Sequence, residues 1–161
     1  ELAPGEEYEP LSKRGTNGYP TRSTHPAPSF LSWMTNGVLR NALNEKFGVT
    51  AESDETLLLR DLPGYSIPPH TDTPSKAVTM LVYLGDAQHG TTLYTPKEKG
   101  FEDPRGIHHP WTKFRAVQTL PGRPNSAFIF ARTNTSFHGT PEWKGPGVRD
   151  ILLYDSKVTH A

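Results

Sequence analysis

Two residues of the chain can do chemistry by type and spacing alone. Pro68-Pro69-His70-Thr71-Asp72 sets an imidazole and a carboxylate two positions apart. On an extended backbone, positions i and i+2 point to the same side, so both heads can reach one point. Imidazole plus carboxylate is the set that non-haem Fe(II) accepts once a further histidine completes three ligands. Seven histidines and seven aspartates in 161 residues give about 0.3 such pairs by chance, so the pair alone is a weak signal. A surface turn is its plain alternative.

Other chemistries are excluded or unselected. The chain has no cysteine, which removes disulfides, zinc ribbons, iron–sulfur clusters and thiol nucleophiles. No Gly-x-Ser-x-Gly elbow, phosphate-binding Gly-x-x-x-x-Gly-Lys loop or dinucleotide fingerprint is present. Lysine plus arginine and aspartate plus glutamate both number 17. This balance gives no electrostatic reason for a nucleic acid or an anionic membrane as partner. No apolar run approaches the roughly 20 residues of a membrane helix. The chain opens Glu1-Leu2-Ala3-Pro4 without a basic-then-apolar signal pattern, so it is read as trimmed or as a piece of a longer protein. The expected location is the cytoplasm. Oligomeric state is left open.

The elements that must position the pair are mostly strands. Sixteen prolines and fourteen glycines suit many short strands joined by turns. Residues 1–29 carry prolines and glycines without a period and are expected to form an irregular arm. Over 30–47, Phe30, Trp33, Met34, Val38, Leu39, Ala42, Leu43 and Phe47 recur at three-to-four spacing. This predicts one amphipathic helix with Ser29 as N-cap, Trp33 in the core and Gly48 as stop. Strands are predicted at 56–62, 77–84, 91–94, 114–120, 127–131, 137–140 and 148–155. The proline-interrupted stretch 95–113 reads as a surface excursion. The expectation is a mainly β, single domain over 1–161, an antiparallel sandwich or barrel of jelly-roll type, with its β core at 56–156.

Around the pair, 59–83 reads strand, glycine turn, His-x-Asp, loop and strong strand. Further on come Phe137-His138-Gly139-Thr140 and Gly147-Val148-Arg149-Asp150-Ile151-Leu152. With these residues the sequence resembles the 2-oxoglutarate- and Fe(II)-dependent oxygenases, nearest their prolyl-hydroxylase-like branch. The resemblance implies a double-stranded β-helix with Fe(II), 2-oxoglutarate as cosubstrate and O2. It implies hydroxylation of a C–H bond in a small-molecule or peptidyl substrate. By the same resemblance His70, Asp72 and His138 are the iron ligands; His138 stands 68 residues after His70, and Arg149 stands 11 beyond His138. Arg149 would hold the remote carboxylate of 2-oxoglutarate and share it with Tyr83. Thr79 and Leu81 would line the cosubstrate pocket. Gly90-Thr91-Thr92-Leu93 resembles the family's Gly-Gly-x-Leu hairpin with one glycine replaced. Leu62 stands where many relatives have a tyrosine, which leaves Tyr65 as a substitute.

The residues themselves leave Arg149 two partners. It shares a predicted strand face with Ile151 and Leu153, where an unpaired charge is very costly. A cosubstrate carboxylate would satisfy it, and so would a structural ion pair to Asp61 or Asp155. Arg60, His108, His109 and the 95–113 excursion are read either as substrate contacts or as ordinary surface and loop residues, with 1–29 and 95–113 as candidate covering loops. Two rivals to the oxygenase remain at this level: a jelly-roll binding module without redox activity, and a non-haem iron enzyme that does not use 2-oxoglutarate.

Overall fold

A computed structural model describes residues 9–10, 22–27, 29–85 and 89–159. Two antiparallel sheets face each other as a double-stranded β-helix, or jelly roll. The strands are β1 (Glu9–Pro10), β2 (Arg22–Pro26), β3 (Ser53–Asp61), β4 (Ile67–His70), β5 (Lys76–Tyr83), β6 (Thr92–Pro96), β7 (Phe114–Thr119), β8 (Ser126–Ala131), β9 (His138–Thr140) and β10 (Arg149–Lys157). The larger sheet has the order β1-β2-β3-β10-β5-β8 and the smaller one β4-β9-β6-β7.

The seven strands predicted from period-two patterning all form, shifted by a few residues at their ends. Three others were not expected, and each has a physical reason. β4 contains Pro68 and Pro69, which cannot donate to a ladder. It is an edge strand whose matched pairs to β9 are Ile67 with Thr140 and His70 with His138, so the prolines fall where the register breaks. β1 and β2 lie within the stretch expected to be irregular. β2 adds to the outer side of β3, pairing Arg22 with Asp61 and Pro26 with Leu57, so it is recruited by an existing edge rather than by its own pattern. The other parts of the 1–29 arm lie outside the described residues, apart from a few positions flanking β2.

The single helix predicted over 30–47 is two elements. A 3-10 segment, Ser29–Thr35, is followed by α1, Val38–Phe47. Gly37 separates them at φ 87°, a left-handed conformation that glycine adopts without steric cost. The tighter 3-10 winding re-phases the side chains, and Trp33 is 54% exposed instead of buried. Gly48 ends α1 as expected, with φ 64°.

These elements cover the outer face of the larger sheet. Met34 and Leu43 join Leu58, Val78, Met80, Leu152 and Tyr154 in one apolar cluster. The inner face carries a second cluster of Leu59, Tyr83 and Ile151, bordered by Leu57, Leu81, Phe128 and Leu153. Alternation along β3, β5 and β10 therefore sends one set of residues to the helix and the other into the space between the sheets. Asp61, Thr79, Arg149 and Asp155 belong to that inner set, and all four are buried. Arg60 is on the other face, ion-paired to Asp150 through two 2.8 Å contacts. Among the described residues no helix is long and apolar enough to cross a membrane.

Candidate metal centre

β4 and β9 bring the three predicted ligands together. His70 and His138 are paired across the two strands, and Asp72 follows His70 by two residues. One ligand atom from each of the three lies within 4.8 Å of the others. Asp72 Oδ1 is 4.0 Å from His70 Nε2 and 3.9 Å from His138 Nε2.

The ring orientation is fixed from behind. His70 Nδ1 lies 2.8 Å from the Pro68 carbonyl and His138 Nδ1 3.0 Å from the Ser136 carbonyl. A carbonyl oxygen only accepts, so each Nδ1 carries the proton and donates it. Each ring then directs its Nε2 at the common point, the arrangement in which a metal-binding histidine is held. Burial pushes the His70 imidazolium down to about 3, with His138 acting in the same direction, so His70 is neutral and ready to ligate at ordinary pH.

Asp72 is held as firmly. Burial would raise its carboxyl, but Lys76, His138 and the Thr79 hydrogen bond outweigh that and keep it below the usual range. Thr79 Oγ1 lies 2.7 Å from Asp72 Oδ2, which leaves Oδ1 facing the histidines. The same hydroxyl is 2.9 Å from Asp155 Oδ1. With one proton to give, it serves both carboxyls fully only when Asp155 carries its own, and burial raises Asp155 in that direction. Lys76 Nζ completes the group, 2.8 Å from Asp155 Oδ2 and 3.6 Å from Asp72 Oδ1. Thr79, expected to line a cosubstrate pocket, thus braces a candidate ligand.

The 97–110 loop braces the same loop from outside. Thr71 donates to the Asp103 carbonyl at 2.9 Å, and His109 N–H to the Pro69 carbonyl at 2.9 Å. Asp103 accepts from the backbone of Arg105 and Ile107, and His109 Nε2 lies 2.9 Å from it. His109 is therefore a buried structural residue. His108 faces the site, its ring 4.9 Å from that of His70. Gly106, at φ 70°, packs so closely that an added Cβ would lie 2.5 Å from the Asp72 carbonyl oxygen. Gly106→Ala should therefore lower stability by about 1–3 kcal/mol and weaken metal binding together. Thermal melting and a Zn(II) titration read the two effects, and a variant normal in both would remove the coupling.

The second group of residues lies at the other end of the inner face. Arg149 is 2% exposed and bonds Asp61 Oδ2 through Nε at 2.8 Å and Nη2 at 2.6 Å. Of the two partners the residues left open, the Asp61 ion pair is formed. The remaining contacts of Arg149 are longer: Nη1 to the His89 and Gly90 carbonyls at 3.2 and 3.3 Å, and Nη2 to Thr140 Oγ1 at 3.4 Å. Thr140 is two residues from His138 on one face of β9, about 7 Å along the strand. Tyr83 OH is 2.9 Å from Thr91 Oγ1 and accepts the Thr91 N–H at 3.0 Å, beside Gly90. Leu81 lies between Thr79 and Tyr83 on the inner face of β5.

Two residues of this end carried no role, or only a conditional one, in the sequence. Arg22, on β2, bonds both oxygens of Asp61, and its Nη2–Oδ2 contact is 2.8 Å. Its guanidinium carbon stands 4.1 Å from the centre of the Tyr65 ring, which is itself buried. Burial, above the opposing pull of Arg22, pushes the Tyr65 hydroxyl up to about 12, so it stays protonated. Nothing in the 1–29 stretch marks Arg22, because its partner is set by strand pairing and not by spacing.

Beside His138 a cavity of about 300 Å³ opens between β7 and β8. It is lined by Leu93, Tyr94, Val117, Phe128, Phe130 and Phe137, with Thr135, Ser136 and His138 as its polar groups. The Phe130 ring is centred 4.6 Å from that of His138.

Compared with known proteins, the chain matches no family model, and no curated protein matches it. Solved structures do match. A Pseudomonas putida prolyl-4-hydroxylase superposes with a TM-score of 0.55 at 15% identity, over 84% of this chain and 71% of that one. HygX from Streptomyces hygroscopicus, with nickel and 2-oxoglutarate bound, gives 0.55 at 12% identity, over 89% and 72%. The epimerase SnoN, in complex with Fe3+, alpha ketoglutarate and nogalamycin RO, gives 0.56 at 13% identity, over 85% and 63%. The chain therefore has the double-stranded β-helix fold that these solved structures share. The sequence resemblance and the fold point to the same place.

Proposed function

We propose that the protein is a non-haem Fe(II) oxygenase that couples oxidative decarboxylation of 2-oxoglutarate to hydroxylation of a C–H bond in a small-molecule or peptidyl substrate. One observation carries the reading. Two imidazoles, each locked by an Nδ1 donor bond, and one braced carboxylate converge on a single point from β4, its following loop and β9. Two nitrogens and one oxygen suit Fe(II) and leave coordination positions for other molecules.

His70, Asp72 and His138 would hold the iron. Bound there, Fe(II) with 2-oxoglutarate and O2 supplies the oxidising chemistry, with succinate and CO2 as co-products. The chain does the positioning. Arg149 keeps its two short bonds to Asp61 and exchanges its long contacts for the remote carboxylate of 2-oxoglutarate. The β9 step from His138 to Thr140 matches the reach of a five-carbon diacid between the metal and that guanidinium. Tyr83 and Leu81 form the wall alongside it. The cavity at His138 would receive substrate and keep water from the reacting bond.

The pairing of Arg149 with Asp61 favours one second reading, an iron enzyme in which that arginine is purely structural and no diacid binds. A single anaerobic experiment separates them. Fe(II) should bind stoichiometrically, and 2-oxoglutarate should then produce a weak visible charge-transfer band. Iron binding unaffected by 2-oxoglutarate would leave the second reading, and no iron binding would leave a jelly-roll binding module.

A further inference from the structure

Arg22, Asp61 and Arg149 stand side by side on β2, β3 and β10, in register as Arg22 with Asp61 and Asp61 with Arg149. Two guanidinium groups share one carboxylate. Asp61 is fully buried, and among the described residues it is the one carboxylate in ion-pair contact with either arginine. Tyr65, whose ring lies against both guanidinium groups, is protonated. Among the described residues the cluster therefore holds one positive charge more than it balances, and a surplus buried charge is costly without a partner. Arg149 has its Nε and Nη2 committed to Asp61. Arg22 commits Nε and one Nη2 hydrogen to the same carboxylate, and its Nη1 has no partner among the described residues. Its side chain is 21% exposed, against 3% for Arg149, so it is also the arginine that an incoming anion can reach.

We propose that Arg22 is a cosubstrate-binding residue: the surplus charge of the Arg22–Asp61–Arg149 cluster recognises the distal carboxylate of a dianionic 2-oxo acid, with Asp61 as the internal counter-ion that aligns both guanidinium groups. This rests on the oxygenase reading and deepens it. A residue of the N-terminal strand becomes a determinant of which 2-oxo acid the site accepts. The unbalanced charge selects for an acid with a second carboxylate over one ending in a methyl group, because only the first supplies the missing negative charge. The Tyr65 ring against Arg22 keeps its fork in one plane, which suits a two-point contact with a carboxylate.

The test is calorimetric binding of 2-oxoglutarate and of 2-oxobutyrate to the Mn(II)-loaded full chain, with no turnover required. Wild type should prefer 2-oxoglutarate. Arg22→Ala and Arg22→Gln should lose affinity for 2-oxoglutarate by about tenfold to a hundredfold, the range of a charge-assisted hydrogen bond. Their 2-oxobutyrate and Mn(II) affinities should stay as in wild type, and Arg22→Lys should recover part of the preference. A merely structural Arg22 would lower the melting temperature or weaken both acids equally, and either result without a change in preference overturns the proposal. Wild type that binds Mn(II) but neither acid would overturn the oxygenase reading itself, and this role with it.

Discussion

His138→Ala is expected to abolish Fe(II)-dependent succinate formation and to weaken metal binding by more than a hundredfold. The magnitude follows from what the histidine supplies. Loss of a group that merely orients a ligand costs about 10–100-fold in metal affinity, so loss of a ligand itself exceeds that range. Little else should change. His138 lies on a three-residue strand whose neighbours, Gly139 and Thr140, keep their pairing to β6 and β4. The imidazole contributes one hydrogen bond, from Nδ1 to Ser136, and ring contacts to His70 and Phe130. The variant should therefore fold, melt within a few degrees of wild type and bind Fe(II) poorly. Anaerobic Fe(II) titration and succinate quantification check the two claims, and wild-type succinate yield from this variant would remove His138 from the site.

The largest stability effect is expected at Asp61. Its carboxylate is completely buried and is shared by two guanidinium groups. Asp61→Ala leaves both charges without a counter-ion, and removing one member of a buried ionic group costs about 3–5 kcal/mol. For a chain of this size that corresponds to a melting temperature lower by about 10 °C. Arg149→Ala should cost less, because Asp61 then keeps Arg22 and no charge is stranded. The order of the two variants is the informative result. If Arg149→Ala proves the more damaging, Asp61 is not the hub of the cluster. If 2-oxoglutarate is the cosubstrate as proposed, adding it should raise the wild-type melting temperature, since a ligand of the folded state alone shifts the equilibrium toward that state.

The β framework and the His70–Asp72 pair were legible in the sequence because each is encoded locally. Period-two runs such as Lys76–Tyr83 declare a strand, and His70 and Asp72 lie two residues apart on one extended segment. The second histidine came through resemblance to a family, and the pairing of β4 with β9 brings it beside His70 from 68 residues away. What was not legible depends on contacts that no local pattern records. β4 hides behind two prolines, tolerated because the strand lies at an edge. Arg22 hides in a stretch with no period, since its place is set by the edge of β3. For Thr79 the family resemblance implies a place on the pocket wall, which gives the face but not its partners, Asp72 and Asp155. Trp33 was misplaced for a related reason: three-to-four spacing does not distinguish a 3-10 turn from an α-helical one.

The place of β10 in the larger sheet has a consequence for how the molecule is made. It is the last of the described strands in sequence order, yet it lies between β3 and β5, pairing with both along most of its length. Until it has been synthesised, those two strands have no neighbour on their facing edges, and Leu59 and Tyr83 lack Ile151. Topologies dominated by such distant pairings fold slowly. A growing chain therefore carries two unpaired, apolar strand edges until β10 itself has left the ribosome, and insertion of β10 closes them. Arg149, at the start of that strand, reaches Asp61 in the same event. The Arg149–Asp61 ion pair and the closed sheet are thus completed together, and a chain stopped before Arg149 would be an aggregation hazard.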